Sequence, residues 1–391
     1  MKIIQVHNHY RFRCGEDTVF ENTIDLLVRK GHTVLSFSRS AAEIGDGWLG
    51  KTKAVVESIY SVSSANSIDA LLDRVQPDIV EVHNIFPLVS PSVLQRCHQA
   101  GVPVVMRCHN FRLLCPTGDF YSKGAVCERC SDGHEYWCVI RNCRENMLES
   151  VAYSLRSYAS RVTQRLRRSV TLFIVLTEFA KNRLLRAGYP EDCVVVLPNM
   201  ARIPNRATDA RKGEYICYVG GFMKKKGIST LLSAAKRTGL PLRMAGDYNA
   251  MPEINHASLS NVEFVGHLSG ASLDEFYRGA RFLVIPSEWY EMFPMVILEA
   301  MGHGLPVIAS RIGALSDIVE DGSTGLLFEA GNVEDLAEKM SSLWADTREC
   351  DRLGQLGREK AIREYSEDRH YERLTAIYRK AIVIRKAESS L

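Results

Sequence analysis

The sequence predicts an α/β protein of two doubly wound, parallel-sheet domains, with a cleft between them at the carboxyl ends of both sheets. Three observations carry this. Short apolar runs of strand length alternate with amphipathic stretches along most of the chain, the pattern of parallel strands covered by helices on both faces. The alternation is interrupted by a polar, proline-bearing segment, PNMARIPNRATDARKGE, starting at Pro198. And 391 residues exceed one ordinary core but suit two.

The first domain is placed at residues 1–198. It opens on the strand KIIQVHN and continues through the amphipathic DTVFENTIDLLVRK, with Gly31 at the helix C-cap position, to the strand TVLSFS. PDIVEVHN, VPVVMRCHN, LFIVLTEFAKNRLLRAG and CVVVLPNM repeat the pattern. The second domain, residues 199–370, strings together YICYVGG, PLRMAGD, NVEFVGH, RFLVIPS, LPVIAS and TGLLF. Residues 371–391 read as a closing helix. GDGWLG, at Gly45, Gly47 and Gly50, matches G-x-G-x-x-G but lies well past its strand, so it is assigned to a surface turn rather than to a dinucleotide.

The balance of charge, +3 overall, excludes a generally basic nucleic-acid binder. The N-terminus lacks the apolar core of a signal peptide and no run is long enough to span a bilayer, which predicts a cytoplasmic protein whose 11 cysteines are thiols or metal ligands.

Two segments of the second domain carry chemistry. YVGGFMKKKGISTLL reads as strand, glycine turn, basic loop and helix, where backbone N–H groups and the Lys226 ammonium can converge on a phosphate. SEWYEMFPMVILEAM places Glu291 and Glu299 eight residues apart, with Pro294 suited to the first position of a helix. Glu291 then falls in the loop before that helix, and Glu299 about two turns along it.

With these segments in this order, followed by AMGHGLPVIAS and DGSTGLLFEAGN, the chain resembles the retaining, nucleotide-sugar-dependent glycosyltransferases of the GT-B fold, glycosyl transferases group 1 or family 4 type. In the first half HNHYRFRCGEDTVFENTIDLLVRKGHTV resembles the family's glycine loop and first helix, and VHNIFPLVSPSVL and CHNFRLLCP resemble a bacterial polysaccharide-building branch. The resemblance implies a sugar transferred with retention from a UDP- or GDP-linked donor to a glycan or polyprenyl-linked acceptor. It also implies that no cofactor or metal is required for catalysis.

The resemblance also implies roles. Glu299 would accept from the ribose hydroxyls, and Glu291 would bind the donor sugar. Lys226, with the N–H groups around Phe293 and Met295, would hold the diphosphate, and Gly220 belongs to the same turn. Gly266, His267 and Leu268 would pass near the base. Gly15 would let the first domain's loop approach the phosphates, and His109 would face the donor sugar. His109, Lys226 and Glu291 are the expected catalytic group. The family's arginine after the strand glycine is replaced by Gly221, so either Lys224 or Lys225 substitutes or the diphosphate is held more weakly than usual, and Cys14–Gly15 stands for its two glycines. The chemistry asks mainly for stabilisation of a departing diphosphate, which a lysine and a helix N-terminus supply.

CPTGDFYSKGAVCERCSDGHEYWCVIRNC, an insertion at about 115–143, suggests a structural zinc on Cys115, Cys127, Cys130 and Cys143, with Cys138 or His134 as substitutes. SVAYSLRSYASRVTQRLRRSV mixes apolar residues with Arg156, Arg161, Arg165, Arg167 and Arg168, a pattern suited to an anionic membrane surface such as the cytoplasmic face of the inner membrane. The rival readings are a nucleotide-sugar epimerase of the same fold, a glycoside hydrolase, and a zinc-containing nucleic-acid-binding protein. The last two leave the lysine–glycine loop without a purpose.

Overall fold

The computed structural model describes residues 1–12, 14–45, 47–251 and 259–389. The chain forms two compact units, one of residues 1–120, 127–198 and 371–391, the other of 121–126 and 199–370.

The first unit is built on β1 (Lys2–His9), β2 (Thr33–Ser40), β3 (Ile79–Asn84) and β4 (Val104–Arg107). A two-stranded antiparallel hairpin of β5 (Tyr121–Ser122) and β6 (Ala125–Val126) groups with the second unit, and β7 (Leu172–Val175) and β8 (Val194–Val196) complete the first. The sheet order is β2-β1-β3-β4-β7-β8, parallel throughout. All six residues of β3 and all four of β4 are buried, as a sheet covered on both faces requires. The C-terminal helix, Glu367–Ser389, inserts Leu374, Tyr378 and Ala381 into the core beside Ile3, Leu27, Ile79 and Leu172. The G-x-G-x-x-G segment is not a surface turn. Gly47 caps the helix Trp48–Ile59 and Gly50 lies inside it, so its glycines begin a helix without a strand directly before them.

The second unit holds β9 (Tyr215–Val219), β10 (Leu242–Ala245), β11 (Val262–Gly266), β12 (Ala280–Ile285), β13 (Val307–Ser310) and β14 (Gly325–Phe328). Their order is β11-β10-β9-β12-β13-β14, again parallel. This is the doubly wound order 3-2-1-4-5-6, whose direction reverses between β9 and β12. In the first sheet the reversal lies between β1 and β3. Ligands of such sheets bind beyond the carboxyl ends of the strands at the reversal. Those ends lead into the Lys226 and Glu291 loops in one unit, and into the glycine loop and His83–Asn84 in the other.

Candidate active site

In the second unit β9 runs into Gly220 and Gly221, then into a short 3₁₀ turn, Lys224–Lys226, that ends at Gly227. Gly227 has φ +69°, and a Cβ there would sit 1.8 Å from the Pro286 carbonyl oxygen. Only glycine lets the lysine turn lie this close to the end of β12. The two loops are tied directly: the Glu288 N–H donates to the Lys225 carbonyl at 2.9 Å, and the Thr230 hydroxyl to Glu288 Oε1 at 2.6 Å.

The juxtaposition gives Glu291 three donors on one oxygen. Lys226 Nζ lies 2.6 Å from Oε1, the Ser287 hydroxyl 2.7 Å and the Trp289 indole N–H 2.9 Å. Burial works to raise the Glu291 carboxyl, but the Lys226 ammonium and these hydrogen bonds outweigh it and hold the group below its usual range. The Lys225 ammonium lies 3.7 Å from the centroid of the Trp289 ring, a cation–π contact that keeps a second positive charge at the same loop.

The helix beyond it runs Met295–His303, with Pro294 at the cap and not at the first helical position. Glu299 is just over one turn from Met295, not two, and even a start at Pro294 would have placed it only about 1.4 turns along. The Met295 N–H opens that helix as an orphan donor, the Ile297 N–H being spent on the Pro294 carbonyl at 3.2 Å, and the Phe293 ring is buried against Tyr365. Glu299 accepts from the Tyr277 hydroxyl at 2.8 Å. Burial raises its carboxyl, and Asp274 adds to the rise against that one hydrogen bond. Gly266 closes β11 with φ +74°, and His267 and Leu268 continue into the following loop.

In the first unit Gly15 opens the helix Gly15–Arg29, and a Cβ there would meet nothing within 4 Å, so the protein's own packing does not demand a glycine. Cys14 is the cap: Asp17 Oδ2 accepts from its N–H at 2.9 Å. Asp17 also receives His7 Nε2 at 3.0 Å and His9 Nδ1 at 2.8 Å. Burial acts to raise Asp17, but these donors bring it down to about 2. Among the described residues, His7, His9 and Asp17 are the group of ligating side chains whose donor atoms lie within 4.8 Å of one another.

His109 follows β4 and is joined to a buried chain of hydrogen bonds that sequence reading did not foresee. Its Nε2 lies 3.0 Å from His83 Nδ1, and His83 Nε2 lies 3.1 Å from Gln5 Oε1. The Gln5 amide nitrogen donates to Glu81 Oε2 at 2.8 Å, and Arg107 Nε to Glu81 Oε1 at 2.9 Å, with Tyr378 bonded to the same carboxylate. An ionised carboxylate only accepts, so the amide nitrogen faces Glu81 and its oxygen faces His83. His83 must then carry its proton on Nε2 and accept from His109 on Nδ1. His109 is left with Nδ1 as a bare acceptor. Burial, then the neighbouring His83 and Arg107, hold His109 well below its ordinary value, so the ring is neutral at physiological pH. The sequence did carry a signal for this: His-Asn recurs at 7–8, 83–84 and 109–110, at or just after the ends of β1, β3 and β4.

The cysteines gather without closing a preformed set. Burial, helped by the neighbouring Cys115, Cys143 and Cys127, pushes the Cys130 thiol up to about 12. Cys138, held in the notional set only as a substitute, hydrogen-bonds Cys143, and that contact is the largest cause of its own upward shift. His134 Nδ1 instead faces the Ser131 carbonyl at 3.1 Å.

Residues 201–360 match the family described as Glycosyl transferases group 1, and residues 15–201 match Glycosyltransferase Family 4. The chain belongs to the group 1 glycosyltransferases. Among curated members of this glycosyltransferase class, it is 37% identical over 146 residues to an uncharacterized glycosyltransferase of Methanocaldococcus jannaschii, covering 36% of this chain and 41% of the relative. It is 31% identical over 220 residues to an MMP alpha-(1->4)-mannosyltransferase of Mycolicibacterium hassiacum, covering 53% and 51%. The chain thus spans about half or less of the length of these two curated relatives. The backbone superposes on sucrose-phosphate synthase from Thermosynechococcus elongatus with a TM-score of 0.72 at 17% identity, over 98% of this chain and 99% of that chain. Anabaena HepE in complex with UDP and glucose gives 0.68 at 16%, over 97% and 100%. These likenesses assign the GT-B fold.

Proposed function

We propose that the protein is a retaining glycosyltransferase that moves a sugar from a UDP- or GDP-linked donor to a glycan or lipid-linked oligosaccharide during cell-surface polysaccharide synthesis. One observation carries the reading: Glu291 Oε1 and Lys226 Nζ meet at 2.6 Å at the sheet's reversal point, eight residues before Glu299 on the helix that follows. A carboxylate for the sugar, a cation and helix donors for the diphosphate, and a second carboxylate for the ribose then lie along one path. A departing diphosphate would be stabilised by charges fixed in advance, so turnover would ask little reorganisation of the protein. The acceptor hydroxyl would attack on the face the diphosphate leaves, and a phosphate oxygen would take its proton. His109, as a neutral acceptor, would hold a donor-sugar hydroxyl.

The test is a screen of UDP- and GDP-sugars by calorimetry, then the product's anomeric configuration by NMR. An inverted product removes retention; absence of any nucleotide-sugar binding removes the reading. Interconversion of free nucleotide sugar without acceptor would select the epimerase instead.

Two accessory proposals accompany it. Peripheral membrane binding is supported by the helix Met147–Thr163, on which Leu148, Val151, Leu155, Tyr158 and Val162 form an exposed stripe three or four residues apart. Seven arginines against two glutamates between 141 and 168 suit an anionic surface. Among the described residues no helix is long and apolar enough to cross a membrane. A structural zinc on Cys115, Cys127, Cys130 and Cys143 is supported by Cys130 lying near enough to Cys115, Cys143 and Cys127 for each to raise its thiol. Metal analysis of protein purified without chelator should give about one zinc per chain, and a metal-free result removes it.

A further inference from the structure

The first unit contains a cavity of about 320 Å³ against the inner side of the helix Met147–Thr163, opposite the exposed apolar stripe. Arg112, Arg156, Arg161 and Arg167 line it, with Glu135 and Asp132 as the acids. Arg161 is satisfied by Glu135 at 2.7 Å. Arg112 and Arg156 have no such partner: among the described residues no carboxylate lies within ion-pair distance of either.

Arg156 is 6% exposed and spends one N–H on the Pro116 carbonyl at 2.8 Å. Its guanidinium lies over the rings of Phe86 at 4.3 Å and Tyr153 at 4.5 Å, which fixes its plane without neutralising it. Arg112 donates to Asn84 Oδ1 at 3.2 Å, while its Nε is buried with no hydrogen-bond partner. Burial works to lower Arg112, but Tyr10, Glu16, Tyr153 and Asp119 outweigh it and raise the group. Burial and the neighbouring Arg112 push Arg156 down to about 10, so both remain cationic at neutral pH. A buried Arg156 guanidinium beside the like charge of Arg112, with no carboxylate of its own, is costly, and the unpaired buried Arg112 Nε adds to that cost. Planar guanidinium forks match the oxygens of a phosphate, and the cavity has the volume of a small-ligand site.

We propose that this cavity is an anion subsite that takes a phosphate group between Arg112 and Arg156. Resting on the glycosyltransferase reading, the ligand is a phosphorylated acceptor, because Arg112 stands three residues after His109 on the segment that leaves β4. The phosphate could belong to a lipid head group or to a soluble phosphate ester.

The full chain, saturated with UDP to occupy the Lys226 loop, is titrated with inorganic pyrophosphate by calorimetry. Pyrophosphate should bind, and Arg156→Gln should weaken it by about tenfold or more, the loss of one charge-assisted contact. Should Arg156→Gln fail to fold, Ser160→Asp sets a negative charge on the same wall from a half-exposed helix position and should weaken pyrophosphate as much. UDP affinity should be unchanged in both variants. Absence of pyrophosphate binding, or equal binding by parent, Arg156→Gln and Ser160→Asp, overturns the subsite. Failure to bind UDP instead removes the glycosyltransferase reading, and the comparison of variants still decides the cavity. Flotation with phosphatidylcholine vesicles, with and without phosphatidic acid, then identifies the source. Loss of phosphatidic-acid binding in Arg156→Gln supports a lipid head group, and its retention alongside weakened pyrophosphate supports a soluble ester.

Discussion

Lys226→Met should separate what the ammonium does for the fold from what it does for turnover. The pair it breaks has side chains 21% and 8% exposed. Stranding one member of a fully buried pair costs about 3–5 kcal/mol. Here part of Lys226 already meets water, and Ser287 and Trp289 still donate to Glu291, so about 1–3 kcal/mol is expected. Turnover should suffer more. Removing one preorganised donor from a developing oxyanion costs about 3–4 kcal/mol, or roughly 10²–10³ in kcat. UDP affinity, which also draws on helix N–H groups, should weaken by only about tenfold.

The double variant Lys226→Met/Glu291→Gln removes the stranded charge and should recover most of the lost stability but none of the turnover. Denaturant unfolding and steady-state release of the nucleoside diphosphate supply both readouts. A kcat within about fivefold of the parent, or a double variant that regains turnover, would refute the reasoning. The pair also sets an acid limb. Glu291 is depressed below 4.5, so its contribution is fully present above that value and is lost as pH falls through the lower folded value.

Glu299→Gln should move stability and binding in opposite directions. The carboxyl is raised by burial, so its ionisation costs stability as pH rises through the folded value; the amide should stabilise the protein by up to about 1 kcal/mol at neutral pH while weakening UDP by about tenfold or more. Unchanged UDP affinity by calorimetry would remove Glu299 from the donor site. Gln5→Met should release the His83 tautomer and lower kcat by about tenfold with UDP affinity unchanged, and the pH profile of kcat should shift because His109 loses its fixed acceptor. An altered stability with an unaltered profile would leave Gln5 a packing residue only. Gly227→Ala should cost more than about 2 kcal/mol in unfolding free energy, because a methyl cannot share space with the Pro286 carbonyl at φ +69°. A neutral outcome would mean the lysine turn can shift.

The two-domain architecture was legible because parallel strands announce themselves. KIIQVHN, IVEVHN and RFLVIPS carry apolar residues on both faces, and only a sheet covered on both sides accommodates such runs in alternation with amphipathic helices. Strand order was less accessible. Nothing in VPVVMR or LFIV says which neighbour it pairs with, and the two sheets differ there, one beginning β2-β1-β3 and the other β11-β10-β9. The start of the second unit's key helix was misread by one residue, since Pro294 suits both the cap and the first turn and only its own extended backbone decides.

The site divides along the same line. Lys226, Glu291 and Glu299 are written into local order, a strand, a glycine turn and a helix start, so spacing alone nominates them. Gln5 and His83 lie on two strands and His109 just after a third, and they share nothing local; their chain exists only because β1 and β3 pair directly and β4 lies beside β3. A buried polar residue in a strand reads from sequence as a lapse in the apolar pattern, whereas in the fold each such lapse is answered by another. Glu81 is answered by Arg107, Gln5 by Glu81, and His83 by Gln5. The satisfied chain fixes one tautomer at its outer end, because every partner but the last has its donor and acceptor already assigned. Arg156 ends no such chain. Its neighbours orient the guanidinium and leave the charge unmatched, so the polar groups inside this unit close on His109 at one place and remain open to an anion at another.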